Sequence, residues 1–174
     1  RHIIKKVKGD LKFSFQGTDL DFSKPIEKIT FSDAIEKHTG IDINKIDTVE
    51  NFIKEIKSKN LKLDTKGLYG LGEYFDALYK EYVRPKIIQP TYICDYPSNM
   101  IALAKRKSDN PQKISSFQLL ICGTELLKAY NELNDPKDQS DRWLDEVALA
   151  KKGSEIAMQF DSDYIRALEY GMPP

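Results

Sequence analysis

Residues 118–134, QLLICGTELLKAYNELN, interrupt otherwise apolar, strand-forming residues with polar and charged ones. On a regular strand Lys128, Tyr130 and Glu132 share one face, because successive side chains alternate. A cation, an aromatic ring and a carboxylate in a row suit a zwitterionic or ammonium-bearing ligand: the carboxylate pairs with ammonium, and an aromatic face attracts a cation. The same spacing also describes an exposed sheet face carrying a Lys–Glu pair, and spacing alone leaves both readings open. Gly67, Gly70 and Gly72 raise a second chemistry, phosphate cradling, yet no Gly-Lys-Ser/Thr follows and no strand leads into Gly70-Leu71-Gly72. Cys94 and Cys122 stand 28 positions apart with no other thiol. That fits buried thiols in a reducing compartment better than a disulfide framework.

The elements that must position these residues follow from pattern and punctuation. Residues 11–15 and 19–22 alternate with period two around Gly17-Thr18, a β-hairpin. From Thr30 to about Asn60 the pattern turns to short amphipathic helices, with Thr30 and Ser32 as N-cap candidates, Gly40 as a stop, and a stripe of Phe52, Ile53 and Ile56 after Thr48. A helix is expected over about 72–84, with Leu71, Phe75, Leu78 and Tyr82 on its core face and Pro85 ending it. Residues 87–94 read as a strand that Pro90 puts at an edge or a bulge. Ser98 is expected to cap a short helix through Lys107, and a polar loop fills 108–116. A second hairpin turns at Gly123-Thr124. Asp135 with Pro136 then opens a helix that runs to Gly153, and a last helix over 161–170 stops at Gly171. Strands and helices without strict alternation give an α+β class, an antiparallel or mixed sheet with helices on one side.

At 174 residues, 40% of them hydrophobic, the chain has enough material for one core, and 27 basic against 27 acidic side chains leave no net charge. A dedicated non-specific nucleic-acid binder would show a strong basic excess, so that class is set aside. No apolar run reaches the ~18 residues of a membrane span, and the first ten residues lack the apolar block of a signal peptide. A cytoplasmic location without a membrane partner is expected. The start at Arg1 and the close on Gly171-Met172-Pro173-Pro174 lead to the expectation of a fragment.

Several segments in register resemble the class II lysyl-tRNA synthetases: Gln89-Pro90-Thr91-Tyr92-Ile93-Cys94-Asp95-Tyr96-Pro97, Leu103-Ala104-Lys105, Gly123-Thr124-Glu125-Leu126, the run from Ala129 to Pro136 with Asp138-Gln139, and Arg166-Ala167-Leu168-Glu169-Tyr170-Gly171-Met172-Pro173-Pro174. The similarity is tight over about 87–174. It is looser earlier, where Asp21-Phe22-Ser23-Lys24-Pro25 and the helices after it, about 30–86, resemble that family's helical insertion. The resemblance implies residues 1–174 of a partial catalytic domain, built on the class II antiparallel sheet, of an enzyme that activates lysine with ATP and transfers it to tRNA(Lys). It also implies that the family's arginine-bearing motifs lie before Arg1 and after Pro174, with an anticodon-binding domain farther upstream. The fragment alone is then expected to be inactive and to hold no catalytic residue itself. The full protein is expected to be a homodimer, although the family's dimer-forming motif would lie outside this chain.

By the same resemblance, Glu132 matches the glutamate that pairs with the lysine ε-ammonium, and Tyr130 the aromatic beside it. Glu125 matches a carboxylate that binds Mg2+ between the ATP phosphates, where a hard cation takes oxygen ligands. Two positions depart: Gln118 stands where the family has an acidic metal ligand, and Lys128 where it has an asparagine near the amino acid. Together they move the local charge by two units in the positive direction, which weakens attraction for magnesium and for cationic lysine. The departure reflects a register slipped by a residue or a degenerate site, or else the Lys128 ammonium takes over the charge-neutralising role of one metal ion at the phosphates. Glu125 and Lys128 differ by an odd number, so serving one site requires a bulge near Leu126 or Leu127. Two rivals accompany this reading: the paralogue that attaches a lysine-like residue to translation elongation factor P, and a catalytically dead, binding-only synthetase-like module.

Overall fold

The computed structural model describes residues 1–172. Helix α1 (His2–Lys8) precedes a hairpin of β1 (Lys12–Phe15) and β2 (Thr18–Asp21). Gln16 and Gly17 both take positive φ, 49° and 80°, the geometry whose twist matches a two-residue hairpin. Gln89 ties this hairpin to the body: its Nε2 donates to the Asp19 carbonyl at 2.8 Å and its Oε1 accepts from the Asp21 N–H at 3.1 Å.

The main sheet begins with β3 (Glu27–Thr30). Three helices follow: α2 (Phe31–Thr39), α3 (Val49–Ser58) and α4 (Leu71–Tyr82). Thr30 and Thr48 cap the first two, each side-chain oxygen accepting the N–H three residues on, which satisfies a donor that the first turn leaves free. Gly40 ends α2 at φ 72°. The chain then returns as β4 (Thr91–Cys94), β5 (Ser116–Ile121) and β6 (Thr124–Tyr130), in the spatial order β3-β4-β5-β6. Only β3 and β4 run parallel; the other pairs are antiparallel. The α+β class therefore holds, with a mixed sheet. Helix α5 (Pro136–Lys152) begins at the Asp135 cap and stops at Gly153, and α6 (Ser162–Glu169) begins at Asp161.

The core forms where α2, α3 and α4 meet one sheet face. Phe31, Ile35, Phe52, Phe75, Leu78, Tyr79, Ile93, Tyr96 and Leu120 are all buried there. Of the expected α4 stripe, Phe75 and Leu78 are buried, and Leu71 and Tyr82 pack half-buried against them. Phe31 lies between two tyrosine rings, 4.8 Å from Tyr79 and 4.7 Å from Tyr96. Contact of this kind adds to what area burial alone supplies.

Three expectations are corrected. Residues 98–107 are not a helix: after a short 3-10 turn at Ser98–Met100, the backbone pairs in sheet fashion, Lys105 N–H to Asn131 O and Ser115 N–H to Lys105 O, both at 2.8 Å. The burial of Ala104 against the core decides this over the local pattern. Pro90 does not mark an edge, because β4 is an inner strand; it stands just before the first paired residue, Thr91, where a missing N–H costs no ladder bond. Ser32 is no cap but lies inside α2, where its hydroxyl accepts from Lys113 Nζ at 3.1 Å. Gly171 follows α6 at φ 105°, and Pro173-Pro174 of the resembling segment lie outside the described residues. Among the described residues no helix is long and apolar enough to cross a membrane.

Of the three glycines around 70, Gly67 serves a turn at φ 77° with open space around it, whereas Gly70, against Leu149, and Gly72 serve packing. Gly72 on α4 meets the 98–100 turn so closely that an added Cβ would sit 2.2 Å from the Asn99 carbonyl oxygen. Gly72→Ala is expected to cost roughly 1–3 kcal/mol, as overpacked sites do, read as a lower urea midpoint; an unchanged midpoint would contradict the close approach.

Candidate functional site

Strand β6 reaches the site through an irregularity. Leu119 pairs with Leu127 but the next residue, Leu120, pairs with Glu125, so Leu126 is an extra residue on β6. A bulge of this kind reverses the side-chain parity beyond it. Glu125 and Lys128 consequently face the same cleft, as one site requires of them. Gln118 is the cross-strand partner of Lys128 and lines the same cleft.

Gln118 is only 7% exposed, and its amide is held from both ends. Its Oε1 accepts from the Tyr96 hydroxyl at 2.6 Å and from the Tyr79 hydroxyl at 3.1 Å. Its Nε2 donates to Glu125 Oε2 at 2.7 Å. The orientation is chemically determined, since a carboxylate can only accept and must therefore face the nitrogen. Burial pushes the Tyr79 phenol up to about 12 and the Tyr96 phenol up as well, with the Glu125 charge adding to both. Both hydroxyls thus stay protonated and donate. Neither tyrosine has a local sequence signal for this role: Tyr79 is 39 residues from Gln118 and Tyr96 is 22. Only the fold brings them to one oxygen.

The cleft, about 600 Å3, lies between α4, the β5–β6 face and α5. Lys80, Arg84, Lys128 and Lys152 line it, together with Glu73, Asp76, Asp145 and Glu146. Lys80 is paired with Asp76 at 2.6 Å. Among the described residues Arg84, Lys128 and Lys152 form no ion pair. Glu73 is occupied structurally: it accepts from the N–H groups of Tyr69 and Gly70 and from the Ser154 hydroxyl, which holds its carboxyl below the ordinary range despite burial. The structure thus brings Gln118, Glu125 and Lys128 together. Tyr130, the last residue of β6, and Glu132, two residues beyond it, lie outside this cleft; Tyr130 packs half-buried against the core and Glu132 is exposed, bridged to Ala104.

The donor set bears on magnesium. Among the described residues no group of three or more His, Cys, Asp or Glu is arranged to hold a metal. Glu125 keeps one oxygen that no described hydrogen bond engages, which fits a magnesium carried in on substrate phosphates, where one or two carboxylates suffice. A magnesium held between residues 118 and 125 does not fit, because Gln118 turns an N–H toward Glu125 and Lys128 adds a positive charge beside both.

Comparison with known proteins places this geometry in context. The family model described as tRNA synthetases class II (D, K and N) matches residues 1–174. A lysine–tRNA ligase of Thermoanaerobacter pseudethanolicus is 43% identical over 173 residues, 99% of this chain and 34% of that protein. The lysine–tRNA ligase of Carboxydothermus hydrogenoformans is 41% identical over 99% of the chain and 35% of its own length, and that of Clostridium acetobutylicum 40% over 99% and 34%. The chain spans about a third of the length of these relatives.

The raised phenols carry a pH consequence. The folded state keeps the Tyr79 proton above 10, where an unfolded tyrosine loses it, so its stabilisation is complete below about 10 and is lost as pH rises through about 12, while burial raises Tyr96 further still. Tyrosinate absorbance at roughly pH 11 should be the same in the protein and in its Tyr79→Phe and Tyr96→Phe variants; loss of one tyrosinate in either variant would contradict the buried clamp.

Proposed function

The chain belongs to the class II tRNA synthetases (D, K and N), and from that membership we propose that it is part of the catalytic domain of a lysine–tRNA ligase. The whole protein would then activate lysine with ATP and transfer it to tRNA(Lys), as a cytoplasmic homodimer. The observation that carries this reading is the identity of about 40% to lysine–tRNA ligases along 99% of the chain, joined to a strand, β6, that leads from a cleft lined by charges of both signs toward the exposed Glu132 two residues past its end. We read the stretch of about 30–86 as the family's helical insertion.

Strand β6 supports a division of labour. At its bulged start, Glu125, Lys128 and the nearby Arg84 suit the phosphates of ATP: fixed cations attract them, and the free oxygen of Glu125 suits the magnesium they bring. That magnesium would supply charge neutralisation at the phosphates. Farther along, Tyr130 and Glu132 suit the lysine side chain, with Glu132 taking the ε-ammonium. At extended-chain spacing the four residue steps from Lys128 to Glu132 span roughly 13 Å, room for an extended lysine with its carboxylate toward the phosphate end. The binding-only reading retains one supporting observation, the Lys128 cation and Gln118 amide where a ligase of this family has an amide and an acid.

The test is amino-acid-dependent ATP–pyrophosphate exchange by the full-length protein, with ornithine, arginine and no amino acid beside lysine. Exchange with lysine alone is expected. Glu132→Gln should raise the KM for lysine roughly 30-fold or more, the scale for breaking a charge pair at a binding site, with the KM for ATP unchanged. No exchange from a folded protein would favour the binding-only module.

A further inference from the structure

We propose that Gln118 is a positioning residue that holds Glu125 in the cleft by hydrogen bonding, so that residues 118 and 125 bind no divalent cation of their own and Lys128 is the fixed positive charge of this site. The inference deepens the reading above and rests on it for the purpose that Glu125 serves.

Three observations carry it. First, Gln118 cannot reorient. Both lone pairs of its Oε1 are taken by the Tyr79 and Tyr96 hydroxyls, and turning the amide over would put a carbonyl oxygen against the Glu125 carboxylate. Second, the tyrosines are themselves immobile: both are buried, and Phe31 packs against both rings. Third, the one register shift of the β5–β6 pair aims Glu125 at this amide and sets Lys128 directly across from Gln118. A carboxylate fixed by a neutral donor, with the Lys128 cation lining the same cleft, needs no metal to hold it.

The alternative composition shows what the amide does. A glutamate at 118 would still accept from both tyrosines, but its second oxygen would meet Glu125 within about 3 Å, and two like charges at that separation require a proton or a cation between them. A single N–H in place of an oxygen therefore separates a hydrogen-bonded carboxylate from a paired-carboxylate cation site. Lys128 reinforces the difference, because its charge opposes any cation arriving without phosphates.

The experiment counts bound Mn2+, by electron paramagnetic resonance, on the full-length protein without nucleotide. The protein and its Glu125→Gln variant are expected to bind the same number of Mn2+ ions. Gln118→Glu is expected to bind one more, and that ion should be lost again when Glu125→Gln is added. Lys128→Asn in the Gln118→Glu background should tighten the added ion roughly tenfold, since it removes an adjacent cation. Loss of one Mn2+ on Glu125→Gln in the otherwise unaltered protein would overturn the proposal. So would a folded Gln118→Glu protein that gains none. The first comparison involves only the exposed Glu125, so it decides even if Gln118→Glu fails to fold. Because no amino acid or nucleotide is present, the counts stand whether or not lysine supports pyrophosphate exchange.

Discussion

The site depends on one carbonyl oxygen. Gln118 Oε1 receives two phenolic hydroxyls that the core keeps buried and protonated, and from this the direction of the amide and its hold on Glu125 follow in turn. An amide with one end saturated has no rotational choice left, and a buried network with its members satisfied is rigid where a half-satisfied one is costly. The register shift at Leu126 is the second requirement. Without it Glu125 would point to the opposite face of the sheet, and the amide would have no carboxylate to hold.

The rest of the fold supplies the tyrosines. Helix α4 brings Tyr79 and the turn after β4 brings Tyr96, two segments whose distance is set by Phe31 at the start of α2. Gly72, where α4 touches the 98–100 backbone, lets those same two segments approach. Packing and charge are thus continuous: a methyl group added at the α4 contact would shift the helix that carries one of the two donors. Among the described residues, Arg84, Lys128 and Lys152, on three different elements, line the cleft without forming an ion pair, although carboxylates at Glu73, Asp76, Glu125, Asp145 and Glu146 line it as well.

Local chemistry was legible where it was local. Thr30, Thr48, Asp135 and Asp161 announce helix starts because a short oxygen-bearing side chain satisfies a first-turn N–H within three residues, and Gly123 announces a turn, which the structure centres on Cys122-Gly123, both at positive φ, one residue earlier than the expected Gly123-Thr124. The need for a bulge near Leu126 was equally readable, since parity along a strand is arithmetic. Strand β3 was not, for Glu-Lys-Ile-Thr has no alternation, and it becomes a strand only because β4 lies alongside it. Residues 98–107 read as helix for the same reason in reverse: tertiary pairing with Asn131 and Ser115 outweighs a local preference. Of the site, Gln118, Glu125 and Lys128 could be named from the sequence, whereas Tyr79 and Tyr96 could not, because their role exists only in the contact.

The most direct measurement is of the Gln118 carboxamide itself, in full-length protein labelled with 15N-glutamine and assigned through Gln118→Leu. Its side-chain N–H resonances should exchange slowly with solvent, and one of them should shift when Glu125 is replaced by alanine and exchange faster when Tyr96 is replaced by phenylalanine. A carboxamide that exchanges freely and ignores both substitutions would mean that Gln118 holds nothing, and that the charge at this site is arranged in some other way.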